Sequence, residues 1–358
     1  MRFEHETLAQ RVCFTPGEAP ATVRAEVQRL GGSRVMVIAA ATEADLAERV
    51  TAEVPVVLRH DEVVMHVPVE SAERARAAAA AHEVDLLVSV GGGSTTGLAK
   101  AIALTSAIPI VAVPTTYAGS EATSVWGLTE GAHKTTGVDA RVLPRSVVYD
   151  ATLTLSLPVA MSVASGLNAL AHCVDSMWAP RTDPVDQALA GEGIRALAAG
   201  LPAVVADPAG LDGRERVLYG AYLSAVAFSS AGSGLHHKIC HVLGGTYDLP
   251  HAQTHAVVLP YVLAFNAPAA PDAERRIAEA FGSASAVEGL QGLRDAVNAP
   301  RALRDHGFDE ADIDDAVDAI LEVVPANNPR PVTSHGLRGL LRAAWQGTDP
   351  LTTVGEER

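Results

Sequence analysis

The feature that most constrains this chain is a change of rhythm at Leu157-Pro158: short apolar runs alternate with helical stretches before it, and the strand signal almost vanishes after it. Runs at 35–39, 55–58, 85–90, 108–113 and 146–149 predict strands, with helices at 45–50 and 71–82 between them. Uninterrupted apolar stretches such as Leu86-Leu87-Val88 suit a parallel sheet covered on both faces. Beyond the change, residues 158–178, 184–201, 213–230, 236–242, 269–281, 290–297, 309–324 and 333–345 read as helices punctuated by Pro-, Gly- and Asp-rich turns. The expectation is an α/β plus all-α chain. A dinucleotide-binding parallel-sheet domain would span 1–155 and a helical catalytic domain 156–358, and two such different domains normally leave a crevice where strand ends present a ligand.

Composition narrows the partners. With 48% hydrophobic and 19% charged residues the chain has the means to fold, and 64 alanines against 4% aromatics call for closely approaching helices. Acidic residues outnumber basic ones 42 to 27, for a formal charge of -15, and no basic tract offsets it, so nucleic acid is excluded as a partner. Arg214 and Arg216 alternate with Asp212 and Glu215, which reads as a solvated face. The first ten residues lack the pattern of a secretion signal, and no long apolar stretch is free of turn residues, so no membrane association is expected. Cys13, Cys173 and Cys240 are too scattered for a disulfide framework, which points to a soluble cytoplasmic protein. Residues 351–358 read as a fraying end.

Two segments carry cofactor chemistry. A buried strand runs into Gly91-Gly92-Gly93-Ser94-Thr95-Thr96-Gly97 and then a helix, so bare backbone and free amides meet at one point suited to a diphosphate. The next strand enters Pro114-Thr115-Thr116-Tyr117-Ala118-Gly119-Ser120-Glu121, whose hydroxyls and amides suit the ribose and nicotinamide ends. After the first strand, Ala40-Ala41-Thr42 brings no acidic residue to the turn where a ribose hydroxyl is often held, which predicts weak discrimination against a 2′-phosphate. Of the three lysines, Lys100 reads as surface at least as readily as site, Lys134 lies in a loop over 131–137, and Lys238 lies among histidines.

The strongest signal is the histidines. Five of 13 fall between 236 and 255: His236, His237, His241, His251 and His255. His237 and His241 share a helical face, and His251 follows a break at Gly244-Gly245 and can fold back toward them. Asn168 and His172 are also four apart, with Asp175 a turn later, so Asn168, His172, His237 and His251 could form a polar cup. Imidazoles bind borderline metals or move protons near neutral pH. A carboxamide at Asn168 gives no negative charge to offset a divalent ion, and the residues lean against a metal. Cysteine and serine nucleophiles have no support: Cys173 has no facing base, and Ser94, Ser120 and Ser165 lie outside the hydrolase elbow pattern.

Together with 166–173, 236–251 and Asn327-Asn328-Pro329-Arg330-Pro331-Val332, these segments resemble the iron-containing alcohol dehydrogenase superfamily, of dehydroquinate synthase-like fold, over nearly the whole chain. Within it the chain is most similar to the maleylacetate reductase subgroup. In metal-dependent relatives an aspartate and three histidines hold iron or zinc; by resemblance those positions are Asn168, His172, His237 and His251, with His241 close to the nicotinamide. The aspartate is missing here, so an ion, if present, would rest on His172, His237 and His251. The resemblance implies that Gly91, Gly92, Gly93 and Ser94 meet the diphosphate of NADH or NADPH, with Thr115, Thr116, Tyr117 and Ser120 nearer the nicotinamide. It further implies a homodimer and reduction of 2-maleylacetate, a dicarboxylate, to 3-oxoadipate in aromatic catabolism without a metal. Lys134, Arg330 and Arg338 are then candidates for the substrate carboxylates, and His241 or His237 for proton donation. The competing expectations are a metal-dependent alcohol, polyol or aldehyde oxidoreductase and a non-enzymatic dinucleotide-binding regulator.

Overall fold

Two compact units form, one from Thr7–Leu157 and one from residue 158 onward together with the segment up to Glu6. The computed structural model describes residues 2–131 and 133–350, apart from the side chains of His133 and Lys134. The end segment 351–358, read as fraying, lies outside the described residues.

The sheet unit runs β1 (Arg11–Phe14), α1 (Ala19–Arg29), β2 (Val35–Ile38), α2 (Ala44–Val50), β3 (Val56–His60), α3 (Val69–Ala81), β4 (Leu86–Gly91), α4 (Gly93–Ser106), β5 (Ile110–Pro114), β6 (Val125–Glu130), β7 (His133–Val138) and β8 (Ser146–Tyr149). Six strands pair in parallel in the order β1-β8-β5-β4-β2-β3. Alternate side chains feed two apolar layers: Val35, Val37, Val88 and Val113 pack under α1 and α2, while Met36, Leu87 and Ile110 pack under α3 and α4. That is why β4 is buried at every position. The chain leaves β2 for β3 on one side and returns to β4 on the other, so the strand order reverses between β2 and β4 and their C-terminal ends open a crevice.

Three strands lack the apolar run by which the others are legible. β1 is a partly exposed edge, and β6 and β7 form a separate antiparallel hairpin, from Val125 opposite Val138 to Glu130 opposite His133. Lys134 therefore sits on β7 opposite Thr129, not in a loop, and its side chain lies outside the described residues. Lys100 is not a surface residue. It is 1% exposed on α4, and its ammonium donates to Thr123 O (2.8 Å), Thr123 Oγ1 (3.0 Å) and Val125 O (2.8 Å). Three oxygens replace its water, and they pin the segment that links β5 to β6. Burial pulls its pKa down to about 7, against the opposing pull of Glu121.

The helical unit contains α5 (Val159–Ser176), α6 (Pro184–Ala206), α7 (Leu211–Ala231), α8 (Leu235–Thr246), α9 (His251–Asn266), α10 (Pro271–Phe281), α11 (Ala286–Ala296), α12 (Ile313–Leu321) and α13 (Ser334–Gln346). α9 is buried almost throughout and contains Pro260, so no polar stripe marks it as a helix in the sequence. Gly244-Gly245 does not break α8, which continues to Thr246; the turn comes at 247–250, with Asp248 at φ 52. α5, α6 and α7 approach through glycines. A Cβ at Gly193 would lie 2.6 Å from Cys173 Sγ, and one at Gly220 would lie 2.7 Å from Leu197 Cγ. α6 is long and apolar enough to cross a membrane by length and composition, yet half of that window is buried inside the protein, as in a core helix.

Arg214 overturns the solvated-face reading. It is 1% exposed, and its Nε and Nη2 donate to Pro208 O at 3.0 and 2.9 Å, closing the turn before α7. Arg216 does face solvent, paired with Asp212 at 3.0 Å. Backbone carbonyls, which sequence does not display as partners, decide between the two.

Candidate active site

The end of β4 and the start of α4 make a bare cradle. Gly91 has φ +152, and a Cβ there would stand 2.6 Å from Glu43 Oε2; Cβ atoms at Gly92 and Gly93 would meet Thr116 Cγ2 at 3.1 Å and Ala118 Cβ at 3.3 Å. α4 begins at Gly93 with no side-chain cap, so its first amides, around Ser94, remain free to hold an anion. These residues fit a dinucleotide diphosphate. Thr115 and Thr116 lie at the neighbouring strand end, and Ser120 opens a short 3-10 turn after Gly119. Tyr117 is completely buried, so its ring supports the loop from inside.

An acidic residue does stand at this crevice, contrary to the expectation from residues 40–42. After β2 the chain makes a 3-10 turn, Ala41–Glu43, that swings Glu43 over the strand ends, where its Oε1 accepts from Thr115 Oγ1 at 2.6 Å. Burial pushes the Glu43 carboxyl upward, partly opposed by that hydroxyl. The residue is one position beyond the three that the strand end suggests, and only the turn geometry brings it back.

The histidines gather within the helical unit. His172 on α5 stacks on His237 of α8, with ring centroids 4.9 Å apart and planes 14° from parallel, and Phe228 of α7 closes on them at 4.7 and 4.3 Å. His241 stands edge-on to His237 at 6.1 Å. His251 opens α9 and reaches the group through His255, one turn later, at 4.4 Å; His255 in turn lies 4.9 Å from His237. His255 also shares a hydrogen bond with His236, Nδ1 to Nε2, at 2.8 Å. Asn168 is buried one turn before His172 on α5.

Asp175 has a role that sequence spacing could not assign. It is 0% exposed, and its Oδ2 accepts from Gly234 N at 2.8 Å, from His237 N at 3.4 Å and from His237 Nδ1 at 2.7 Å. The carboxylate thus caps α8 and fixes the His237 tautomer, leaving Nε2 as an acceptor. Burial pushes the Asp175 carboxyl up to about 6, opposed by those amides. Burial also holds the imidazoles neutral: His172 falls to about 4, and His237 and His255 fall well below the usual range. The Cys173 and Cys240 thiols are pushed up by burial, which leaves neither as a resting nucleophile.

The donors that resemblance assigns to an ion do not converge in this arrangement. Among the described residues, the His, Cys, Asp and Glu donors that converge within 4.8 Å are His236-Cys240-His255 and His5-Asp183-Asp186, and not His172, His237 and His251. Asn168, at the remaining position, carries no charge. What the pocket offers is buried polar atoms without a protein partner, among them Asn168 Oδ1, His172 Nδ1 and His237 Nε2. Such atoms mark a place for a bound polar group or ion.

Of the carboxylate candidates, Arg338 is engaged with Asp314 at 2.5 Å on a partly exposed face. Arg330 lies over the Phe265 ring at 4.4 Å, in a loop tied to the end of α9 by reciprocal Asn266-Asn328 amide bonds of 3.1 and 2.8 Å.

Comparison with known proteins extends this geometry. Residues 9–151 match the model of the iron-containing alcohol dehydrogenase family, and residues 162–345 match that of the Fe-containing alcohol dehydrogenase family, C-terminal. Maleylacetate reductase of Delftia acidovorans is 44% identical over 352 residues, covering 98% of this chain and 99% of that one. Among solved structures, an iron-containing alcohol dehydrogenase from Corynebacterium glutamicum superposes with TM-score 0.97 at 64% identity, covering 99% of each chain. A maleylacetate reductase from Agrobacterium tumefaciens superposes with TM-score 0.92 at 40% identity, covering 98% of this chain and all of that one.

Proposed function

The chain belongs to the iron-containing alcohol dehydrogenase family, and from that premise we propose that it is an oxidoreductase that reduces the conjugated double bond of 2-maleylacetate to give 3-oxoadipate. The observation that carries this reading is the pocket lining: Asn168, which brings a carboxamide where a carboxylate would bring charge, beside uncharged imidazoles whose buried polar atoms include some that no protein group meets. The relatives named maleylacetate reductase, similar over their whole length, supply the substrate.

The substrate is a ketone conjugated to an alkene, with a carboxylate at each end. NADH or NADPH, when bound, supplies a hydride to the alkene carbon beta to the ketone. The electron pair moves to the ketone oxygen, giving an enolate, and the adjacent carbon then takes a proton. A delocalised enolate spreads its charge, so hydrogen-bond donors stabilise it where a localised alkoxide would demand more. The Asn168 Nδ2–H and a ring N–H of His172 are the neutral donors for that oxygen. Of the two histidines considered for proton delivery, His237 has its Nδ1 proton committed to Asp175, which favours the half-buried His241. Arg330, and with less freedom Arg338, would answer the substrate carboxylates, as would Lys134. Glu43 beside the cradle disfavours a 2′-phosphate, so NADH is the preferred cofactor of the two.

The test is consumption of NADH with maleylacetate, before and after prolonged chelation, with 3-oxoadipate identified as product. Activity that survives chelation and falls in turnover rather than cofactor affinity in His241→Ala supports the reading. Oxidation of neutral alcohols that requires added iron or zinc, with maleylacetate untouched, would replace it with the metal-dependent alternative.

A further inference from the structure

The first turn of α6 holds a second polar cluster, made of residues that the proposed reduction does not use. We propose that His5, Asp183 and Asp186 bind a divalent cation of the zinc or manganese class, which staples residues 2–6 to α6.

The argument begins with Asp186, which is 0% exposed and whose carboxylate oxygens make no well-formed hydrogen bond, the Ser230 hydroxyl being the group that most opposes its burial. A buried carboxylate in that state is unfavourable unless a positive charge meets it. Its neighbour Asp183 has divided its own carboxylate. Oδ1 caps α6, accepting from Val185 N at 2.7 Å and Asp186 N at 3.0 Å, while Oδ2 turns to His5 Nδ1 at 2.7 Å. The same His5 Nδ1 lies 3.8 Å from Asp186 Oδ1. One donor atom from each residue falls within 4.8 Å of the others, so small side-chain movements bring all three to coordination distance. One imidazole meets at most one of the two carboxylates.

A divalent cation answers the remaining charge. It takes the place of the proton between His5 Nδ1 and Asp183; the imidazole keeps one proton, at Nε2, and binds through Nδ1 as a neutral ligand beside the two carboxylates. One nitrogen and two carboxylate oxygens suit zinc or manganese better than magnesium or calcium, which favour all-oxygen sets. The Ser230 hydroxyl, 3.5 Å from His5 Nδ1 and acting on Asp186, lies beside the site, and water would fill the remaining positions. The contact joins residues 178 positions apart, so the ion would tether residues 2–6 to α6.

The experiment strips the full chain with chelator, dialyses it against zinc alone, and compares bound zinc in wild type, Asp186→Asn and His5→Gln, each also carrying His237→Ala to discount any ion at the histidine pocket. The expected result is one equivalent lost in Asp186→Asn and in His5→Gln in both backgrounds. Zinc should slow amide exchange over residues 2–6 in wild type and leave it unaltered in the two variants, whose maleylacetate turnover without His237→Ala stays that of wild type. Equal zinc content across the three chains, including none, overturns the site. So does zinc binding that leaves exchange over residues 2–6 unchanged.

Discussion

Replacing Asp175 by asparagine should separate stability from catalysis. The carboxyl is completely buried, and burial raises its pKa from 3.8 to about 6. Keeping it ionised at pH 7 therefore costs about 3 kcal/mol relative to an exposed carboxylate. Asparagine removes that cost and also removes the charge-assisted bond from His237 Nδ1, 2.7 Å long and worth about 1.5–3 kcal/mol. The two changes nearly cancel, so chemical denaturation should place Asp175→Asn within about 1.5 kcal/mol of wild type. Activity has no such offset. A carboxamide can present either its oxygen or its N–H to the ring, so the His237 tautomer is no longer dictated, and turnover of maleylacetate should fall by about 10- to 150-fold. Stopped-flow or steady-state NADH consumption at saturating substrate reads the second quantity, and urea unfolding reads the first. Unchanged turnover together with a loss of several kcal/mol would show that the carboxylate merely caps α8, and would refute its role in orienting the imidazole.

Three further outcomes follow from the same geometry. The depressed pKa of Lys100, about 7 against 10.5, means that the unfolded chain carries the extra proton between those values. Its contribution to stability is complete above 10.5 and lost as pH falls through 7, with a slope of up to about 1.4 kcal/mol per pH unit, and Lys100→Met should flatten unfolding curves measured across that window. Glu43→Gln should improve the use of NADPH relative to NADH on the order of tenfold, read as the ratio of kcat/KM values; an unaltered ratio removes Glu43 from cofactor selection. Gly193→Ala drives a methyl to 2.6 Å from Cys173 Sγ and should lower stability by about 1–2 kcal/mol even after the helix-propensity gain, and a variant as stable as wild type would contradict the close packing of α5 on α6.

Burial on both faces made part of this fold legible in the sequence. β4 and β5 announce themselves as apolar runs, β4 interrupted at Ser89, because helices cover both sides of the sheet, and the change at Leu157-Pro158 coincides with the point where one compact unit gives way to the next. Where burial is partial the signal fades, as in the edge strand β1 and the hairpin of β6 and β7. Where burial is total the helical period fades too, which is how α9 escapes notice. The histidine group was visible as spacing, since His237 and His241 lie on one face of α8. The position of His255 among His236, His237 and His251, the approach of Phe228 and the Asp175 bond to His237 all depend on helices meeting in space. Arg214 and Lys100 share a different obstacle: their partners are mostly backbone oxygens, which every residue carries and no sequence pattern singles out.

The glycine contacts among α5, α6 and α7 have a consequence for how the pocket could be remodelled. At that seam backbone meets side chain without slack, so Asn168 and His172 ride on a helix whose position tolerates almost no added volume. α8 ends differently: a side chain at Gly245 would meet nothing within 4 Å, and one at Gly244 would meet only Leu249 O at 3.8 Å. Selection for a bulkier substrate should therefore collect its tolerated substitutions around the α8–α9 turn, leaving the wall that carries Asn168 as the fixed jig against which the opposite wall is fitted.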